Sequence, residues 1–474
     1  MELTARQKWW VLITAGLATF LPSTYNSILN TILPEIQHGL HSSLAASAWI
    51  MLMYLLVLTV LLLPVGRVSD LIGRRNLLVA GFLLFAGAAV FCAVSRDLVW
   101  VVVGRGIMGV GGAMLISVAP AVVTTVMPAR ERGRAMGFLG LLTYLGMAVG
   151  PVLGGTLTQL WGWPAVFLFA VPTGLVGVLL GIIVIPKSPK ASGRVPLDTR
   201  GTLVYAVAAV AFTLAMNPSV LGRDKTVAIA VLVAVTVASI VGFILIERRQ
   251  AKPLMCLNLF TIRTFSFGII ATVLNYSTFF IVTFLVPVYL SHQFRFSPAV
   301  VGLWMSGMSV VMAVVAPAAG AMYDRIGSRA LSTVGMACGA VSLAVFTLVA
   351  RQGNGEFLWL AVALLLNGFG TAVFAPPNNT SVLMSAPSKQ QGMASGVLTT
   401  SRYFGMMCGI ALGSTLFNAI IHSLPGSTAS GYDDAFRGVM WTAAGIMAIG
   451  TVIAYGTRSE RKDAASVTSS SRGG

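Results

Sequence analysis

Fourteen long apolar runs, separated by short polar connections, make up most of the chain. A membrane-spanning helix needs about 20 mainly apolar residues, and the runs that meet this fall near residues 9 to 33, 46 to 65, 77 to 95, 99 to 127, 135 to 160, 163 to 186, 202 to 221, 226 to 246, 265 to 290, 298 to 322, 331 to 350, 356 to 384, 392 to 422 and 435 to 455. Each predicts a helix, because a helix satisfies its own backbone groups inside hydrocarbon. An even number of crossings puts both termini on one side.

Between the second and third runs stands GRVSDLIGRR, Gly66 to Arg75, and the pattern returns between the tenth and eleventh as GAMYDRIGSR, Gly320 to Arg329. Each copy opens on a glycine, places an acid four positions on (Asp70, Asp324) and a second glycine three later (Gly73, Gly327). Arginines follow at Arg74 and Arg75 in the first copy and at Arg329 in the second. A turn this charged sits at the water surface. Its carboxylate can accept from exposed N–H groups at a helix start and its arginines can grip helix-end carbonyls, which makes a breakable latch. The plainer reading is a pair of turns that only set topology.

Two copies predict an internal repeat. The halves are residues 1–186 and 265–455, with an inserted pair of helices in 187–264 and a Ser-rich tail, 456–474, that reads as disordered. The expected fold is an all-α integral membrane protein of two six-helix bundles plus a central inserted pair. Two such halves suit alternating access around a site between them near the midplane.

Composition narrows the function. The 474 residues are 56% hydrophobic and 9% charged, far from the roughly one-quarter charged fraction of soluble domains. The formal charge of +17 would suggest nucleic acid in a soluble chain, but no basic run has interleaved aromatics. Instead, 23 of the 31 Lys and Arg fall on the side of the first terminus, six opposite, and Arg105 and Arg402 inside apolar runs. By the positive-inside rule both termini are cytoplasmic, in a bacterial-type inner membrane. The first run is too long for a signal-peptide core and lacks a cleavage site, so it is read as retained. Cys92, Cys338 and Cys408 lie in apolar runs and Cys256 in a basic loop, without disulfide or metal-ligand spacing. No nucleophile elbow, Walker loop or zincin motif occurs. An enzyme, a metal or a cofactor is not expected. A monomer handling a small molecule in the bilayer is.

The motifs resemble the major facilitator superfamily, and within it the fourteen-helix drug:H⁺ antiporter branch. The likeness covers nearly the whole chain. It includes the two latch copies, Arg105 followed by GIMGVGGAM, PARERGRAMG before the fifth run, GMAVGPVLGG from Gly146 to Gly155, PVYLSHQFRFSPAVVGL, and GMASGVLTTSRYFGMMCGIALG from Gly392 to Gly413. Gly146, Gly150 and Gly154 form a side-chain-free stripe for close helix approach, with Pro151 beside them. The resemblance implies that this stripe is a hinge between opposite halves, and that transport is coupled to protons. Two departures stand out. The acid usual in the family's first helix is Tyr25 here, and the pattern opening the sixth helix is changed at Pro164 and Ala170.

None of the fourteen acidic residues falls near the middle of a run. A mid-membrane carboxylate is the usual way to bind a hydrophobic cation and exchange it for a proton, so a cationic specificity is disfavoured. The charges inside runs are Arg105 and Arg402, expected either to bond carbonyls at helix breaks or to bind an anionic or strongly hydrogen-bonding substrate. Arg105 is expected to matter most. Tyr25, Asn26, Asn30, Asn275, Tyr276 and Asn367 complete the candidate binding set. Asn378 and Asn379, after Pro376 and Pro377, are expected to open helix backbone. The leading reading is an exporter of amphipathic or hydrophobic small molecules. The alternatives are a transporter of an anionic metabolite or lipid-like molecule, and a non-transporting sensor of the same fold.

Overall fold

A computed structural model of the chain describes residues 4–186, 198–218, 221, 225–250, 253–349, 356–423 and 429–457; the tail expected to be disordered lies almost wholly outside these residues. The helices in order are α1 (Ala5–Gly39), α2 (Leu44–Ile72), α3 (Arg74–Val94), α4 (Leu98–Val126), α5 (Ala129–Trp161), α6 (Trp163–Leu168), α7 (Ala170–Val184), α8 (Thr199–Met216), α9 (Lys225–Arg249), α10 (Arg263–Gln293), α11 (Pro298–Ile326), α12 (Ser328–Val349), α13 (Glu356–Ser385), α14 (Gln391–Ser423) and α15 (Ala429–Tyr455). The short α6 and α7 meet at Phe169 and together form one rod, so fourteen rods correspond to the fourteen apolar runs. Among the described residues, thirteen helices are long and apolar enough to cross a membrane. The remaining rod is α1, whose apolar content is diluted by Ser23, Thr24, Asn26 and Asn30, all buried against protein.

Both latch glycines end one helix and begin the next with a backbone that other residues avoid, at φ 95° for Gly73 and 86° for Gly327. That shared geometry makes the repeat structural as well as textual. Strain in such regions costs on the order of 1–3 kcal/mol for a residue with a Cβ. Gly73→Ala is therefore expected to lower the melting temperature, whereas Gly66→Ala, whose Cβ would meet nothing within 4 Å, should leave it unchanged; thermal unfolding of the two purified variants checks this.

The arginines of the first copy grip helix carbonyls. Arg74 donates to Ala121 O at 2.7 Å and to the Thr125 hydroxyl, and Arg75 to Ile182 O at 2.6 Å. In the second copy Arg329 lies over the Tyr455 ring, 4.0 Å from its centroid. The side chains of Asp70 and Asp324 lie outside the described residues.

The glycine stripe of α5 does not face the other half. A Cβ on Gly146 would come within 2.8 Å of Phe20 O, one on Gly150 within 2.9 Å of Thr24 O, and one on Gly154 within 2.8 Å of Ile28 Cγ2. All three partners belong to α1, so the stripe seats two helices of one half together. The approach to the opposite half is one residue further on. A Cβ on Gly155 would overlap Pro298 O of α11, and one on Gly302 would overlap Pro151 O. Ser306 also donates to Ala148 O at 2.8 Å across the same seam. These contacts lie toward the end of α5 and the start of α11, away from the latch turns. The structure is thus closed on the far side.

Candidate functional site

Toward the latch side α5 and α11 separate, and a cavity of about 430 Å³ opens between the halves. It is walled by Tyr144 and Met147 of α5, Ser23 and Asn26 of α1, Tyr276 of α10, Met312 and Pro317 of α11, Asn379 of α13, and Arg402, Tyr403 and Met406 of α14. A larger cavity of about 740 Å³ adjoins the first latch at Gly66, Arg67 and Arg74, between α2, α4 and α14.

Arg402 is the chemical centre of the 430 Å³ space. It sits about a third of the way along α14. Its guanidinium carbon lies 5.2 Å from the centroid of the Tyr276 ring, within reach of a cation–π attraction. Its Nε is buried without an acceptor, and among the described residues no carboxylate pairs with it. An ionised guanidinium with an unused donor in a low-dielectric wall favours any acceptor that enters. Tyr144, Tyr276 and Tyr403 surround it with flat, polar-tipped surfaces that suit a planar ring.

The space narrows beyond Asn26. The amide of Asn26 points at Met406 Sδ, 3.7 Å away. Past it remains only about 20 Å³ among Asn30, Phe279, Phe280, Met305 and Met308, enough for about one water. Asn30 Oδ1 has no partner there. This is the plug between the cavity and the far side.

The other sequence-derived site residues lie elsewhere. Tyr25 is fully buried inside the first half, donating to Val166 O at 2.7 Å and packing edge-on against Phe85; it ties α1 to α6 and lines none of these three spaces. Asn275 and Asn367 are buried, with unpartnered amide atoms, away from the cavity wall. Asn378 donates to Gly268 O and Thr272 Oγ1, pinning α13 to α10. Pro376 and Pro377 do not open the backbone, because α13 runs through them. Tyr144 stands in none of the family motifs, whereas Tyr403 lies within the Gly392 to Gly413 stretch and Asn379 follows Pro376 and Pro377; only a hydroxyl or amide inside an apolar run hinted that any of them lines a cavity.

Arg105 is the clearest relocation. It is wholly buried in the first half, with its guanidinium 4.1 Å from the Tyr54 ring centroid and Nε donating to Ile50 O at 3.1 Å. It staples α4 to α2 and does not line the cavity. Arg105→Ala is accordingly expected to reduce yield and melting temperature while flux per folded molecule stays near wild type, measured on the same preparations.

Two pseudo-equivalent bundles, each with the same glycine turn, a far side closed by glycine contacts and a polar cavity between halves make a secondary-transporter architecture. The sequence profile of the Major Facilitator Superfamily matches residues 15–269 and again 268–473, and the chain belongs to that family: it is a multi-pass membrane transporter, not an enzyme. It is 29% identical over 453 residues to the riboflavin transporter RibZ of Clostridioides difficile, covering 94% of this chain and 97% of that protein. It is 28% identical to the multidrug resistance protein Stp of Mycobacterium tuberculosis, covering 87% of this chain and 76% of Stp. The fold matches a peptide transporter POT at TM-score 0.70 and 15% identity, with 94% of each chain covered. It also matches a bacterial homolog of the human lysosomal transporter Spinster, solved inward-facing and occupied, at TM-score 0.69 and 13% identity, with 96% and 97% covered.

Proposed function

We propose that the chain is a secondary exporter of planar, amphipathic small molecules that are neutral or anionic, bound at Arg402 between three tyrosines and moved by alternating access. The observation that carries this is the chemistry of the cavity wall: one guanidinium without a carboxylate partner, faced by Tyr144, Tyr276 and Tyr403. A cation would meet like charge there and find no counter-ion among the described residues. The positive-inside distribution supports a cytoplasmic side for both termini and the latch turns; in that orientation the cavity faces the cytoplasm and loads a molecule for export. Residues 1–186 and 265–455 act as the rocking halves, joined through 187–264. The likeness to proteins named for multidrug resistance supports efflux, and proton coupling is what the family resemblance implies.

The relative named for riboflavin supplies a probe, since that molecule is planar and uncharged with many hydrogen-bonding groups. Titrating riboflavin with purified protein should quench flavin fluorescence saturably as the ring stacks on tyrosine. Tyr276→Leu should weaken the quench, while Tyr25→Phe should not. Quenching that does not saturate, or that is unchanged in Tyr276→Leu, would count against the site.

A further inference from the structure

Two carboxyl groups are buried where the two inserted helices meet. Asp198 caps the start of α8, its Oδ1 accepting from Gly201 N–H at 2.8 Å. Glu247 lies at the end of α9, its Oε2 accepting from Met255 N–H at 3.3 Å. Relative exposures are 4% and 3%. The second oxygens, Asp198 Oδ2 and Glu247 Oε1, are both buried without a hydrogen-bond donor. They converge on one spot: a Cβ on Gly201 would overlap Asp198 Oδ2 and come within 3.0 Å of Glu247 Oε1. Glycine at 201 leaves that spot free.

Two acceptors facing each other out of water cannot both stay ionised, and among the described residues no cation intervenes. Arg200, next to Asp198, and Arg248 and Arg249, next to Glu247, are exposed, and none pairs with either carboxyl. Arg67 of α2 donates to Pro253 O. Cys256 gives its N–H to Met393 Sδ of α14 at 2.9 Å. On α14 the titratable groups of the described side chains are Arg402, Tyr403, Cys408 and His422, and none bonds the pair.

We propose that Asp198 and Glu247 form a binding site for a single proton, carried by Glu247 and donated to Asp198. Helix ends decide which partner holds it. The start of α8 favours the negative charge of Asp198, and the end of α9 disfavours one on Glu247. With the proton bound, the Glu247 Oε1–H donates to Asp198 Oδ2, and both orphan oxygens are satisfied. When the proton leaves to latch-side water, two buried anions repel and part α8 from α9. The segment 253–256 is then loosened, and with it the join between α2, which holds Pro253, and α14, which holds Cys256. The site is thus a proton-operated clasp on the inserted pair. It stands independently of the substrate reading.

The test is infrared difference spectroscopy on the purified full chain across a pH series, with melting temperatures measured in parallel. Wild type is expected to show a protonated-carboxyl band at a pH where exposed carboxyls are ionised, and to lose thermal stability as the pH is raised through the loss of that band. Glu247→Gln supplies an amide N–H in place of the proton. It should fold, lack the band and melt without that pH dependence, and Asp198→Asn should lose the band in the same way. A band absent from wild type, or persisting in Glu247→Gln, overturns the proposal. So does a melting temperature raised by Na⁺ or Ca²⁺ in wild type alone, which would make the pair a metal-cation site.

Discussion

Arg402→Lys is expected to fold normally and to lose most of its transport. An ammonium keeps the charge but not the planar fork, and it cannot lie flat over Tyr276 while presenting a second donor to the ligand. Hydrogen bonds to charged groups contribute roughly 1.5–3 kcal/mol, so apparent affinity should fall by about 10- to 150-fold, read as the half-saturating concentration for flux in proteoliposomes. Arg402→Ala should lose at least as much. Because Arg402 makes no ion pair among the described residues, melting temperature should move little. A large loss of stability with intact flux would make Arg402 a helix staple like Arg105.

Gly155→Ala should shift the conformational balance instead. Its Cβ would overlap the Pro298 carbonyl, where α5 and α11 touch on the far side. Overpacking of this kind costs about 1–3 kcal/mol. The penalty falls only on the far-side-closed state, so its population against the open state should drop about 5- to 150-fold. Spin labels at Leu160 and Val300, exposed at 67% and 38%, in a cysteine-free background should report a longer distance in the variant. Gly133→Ala, with nothing within 4 Å of its Cβ, is the control. An unchanged distance in Gly155→Ala would remove this contact from the gate.

The fold was legible because hydrocarbon imposes it. Apolar runs of spanning length can only be helices, and the repeated G-x-x-x-D turn marks the two halves in the sequence itself. The positive φ of Gly73 and Gly327 is the physical reason both copies keep glycine there. The site was less legible, since periodicity does not say which wall of a helix faces a cavity. Arg105 and Arg402 look alike in sequence, each a lone cation in an apolar run. One ends beneath Tyr54 inside a half and the other on the wall between halves, a difference set by helix rotation. The same limit applies to α5, where a one-residue step separates Gly154, facing Ile28 of its own half, from Gly155, facing Pro298 of the other. Tyr25, standing where the family's acid is usual, became a tie to Val166.

The sharpest single measurement is counterflow in proteoliposomes with two versions of one planar ring system, one carrying a carboxylate and the other a quaternary ammonium. If Arg402 holds the substrate, saturable counterflow of the carboxylate, abolished in Arg402→Ala, is expected, and none of the ammonium. Saturable counterflow of the ammonium alone, unchanged in Arg402→Ala, would contradict it.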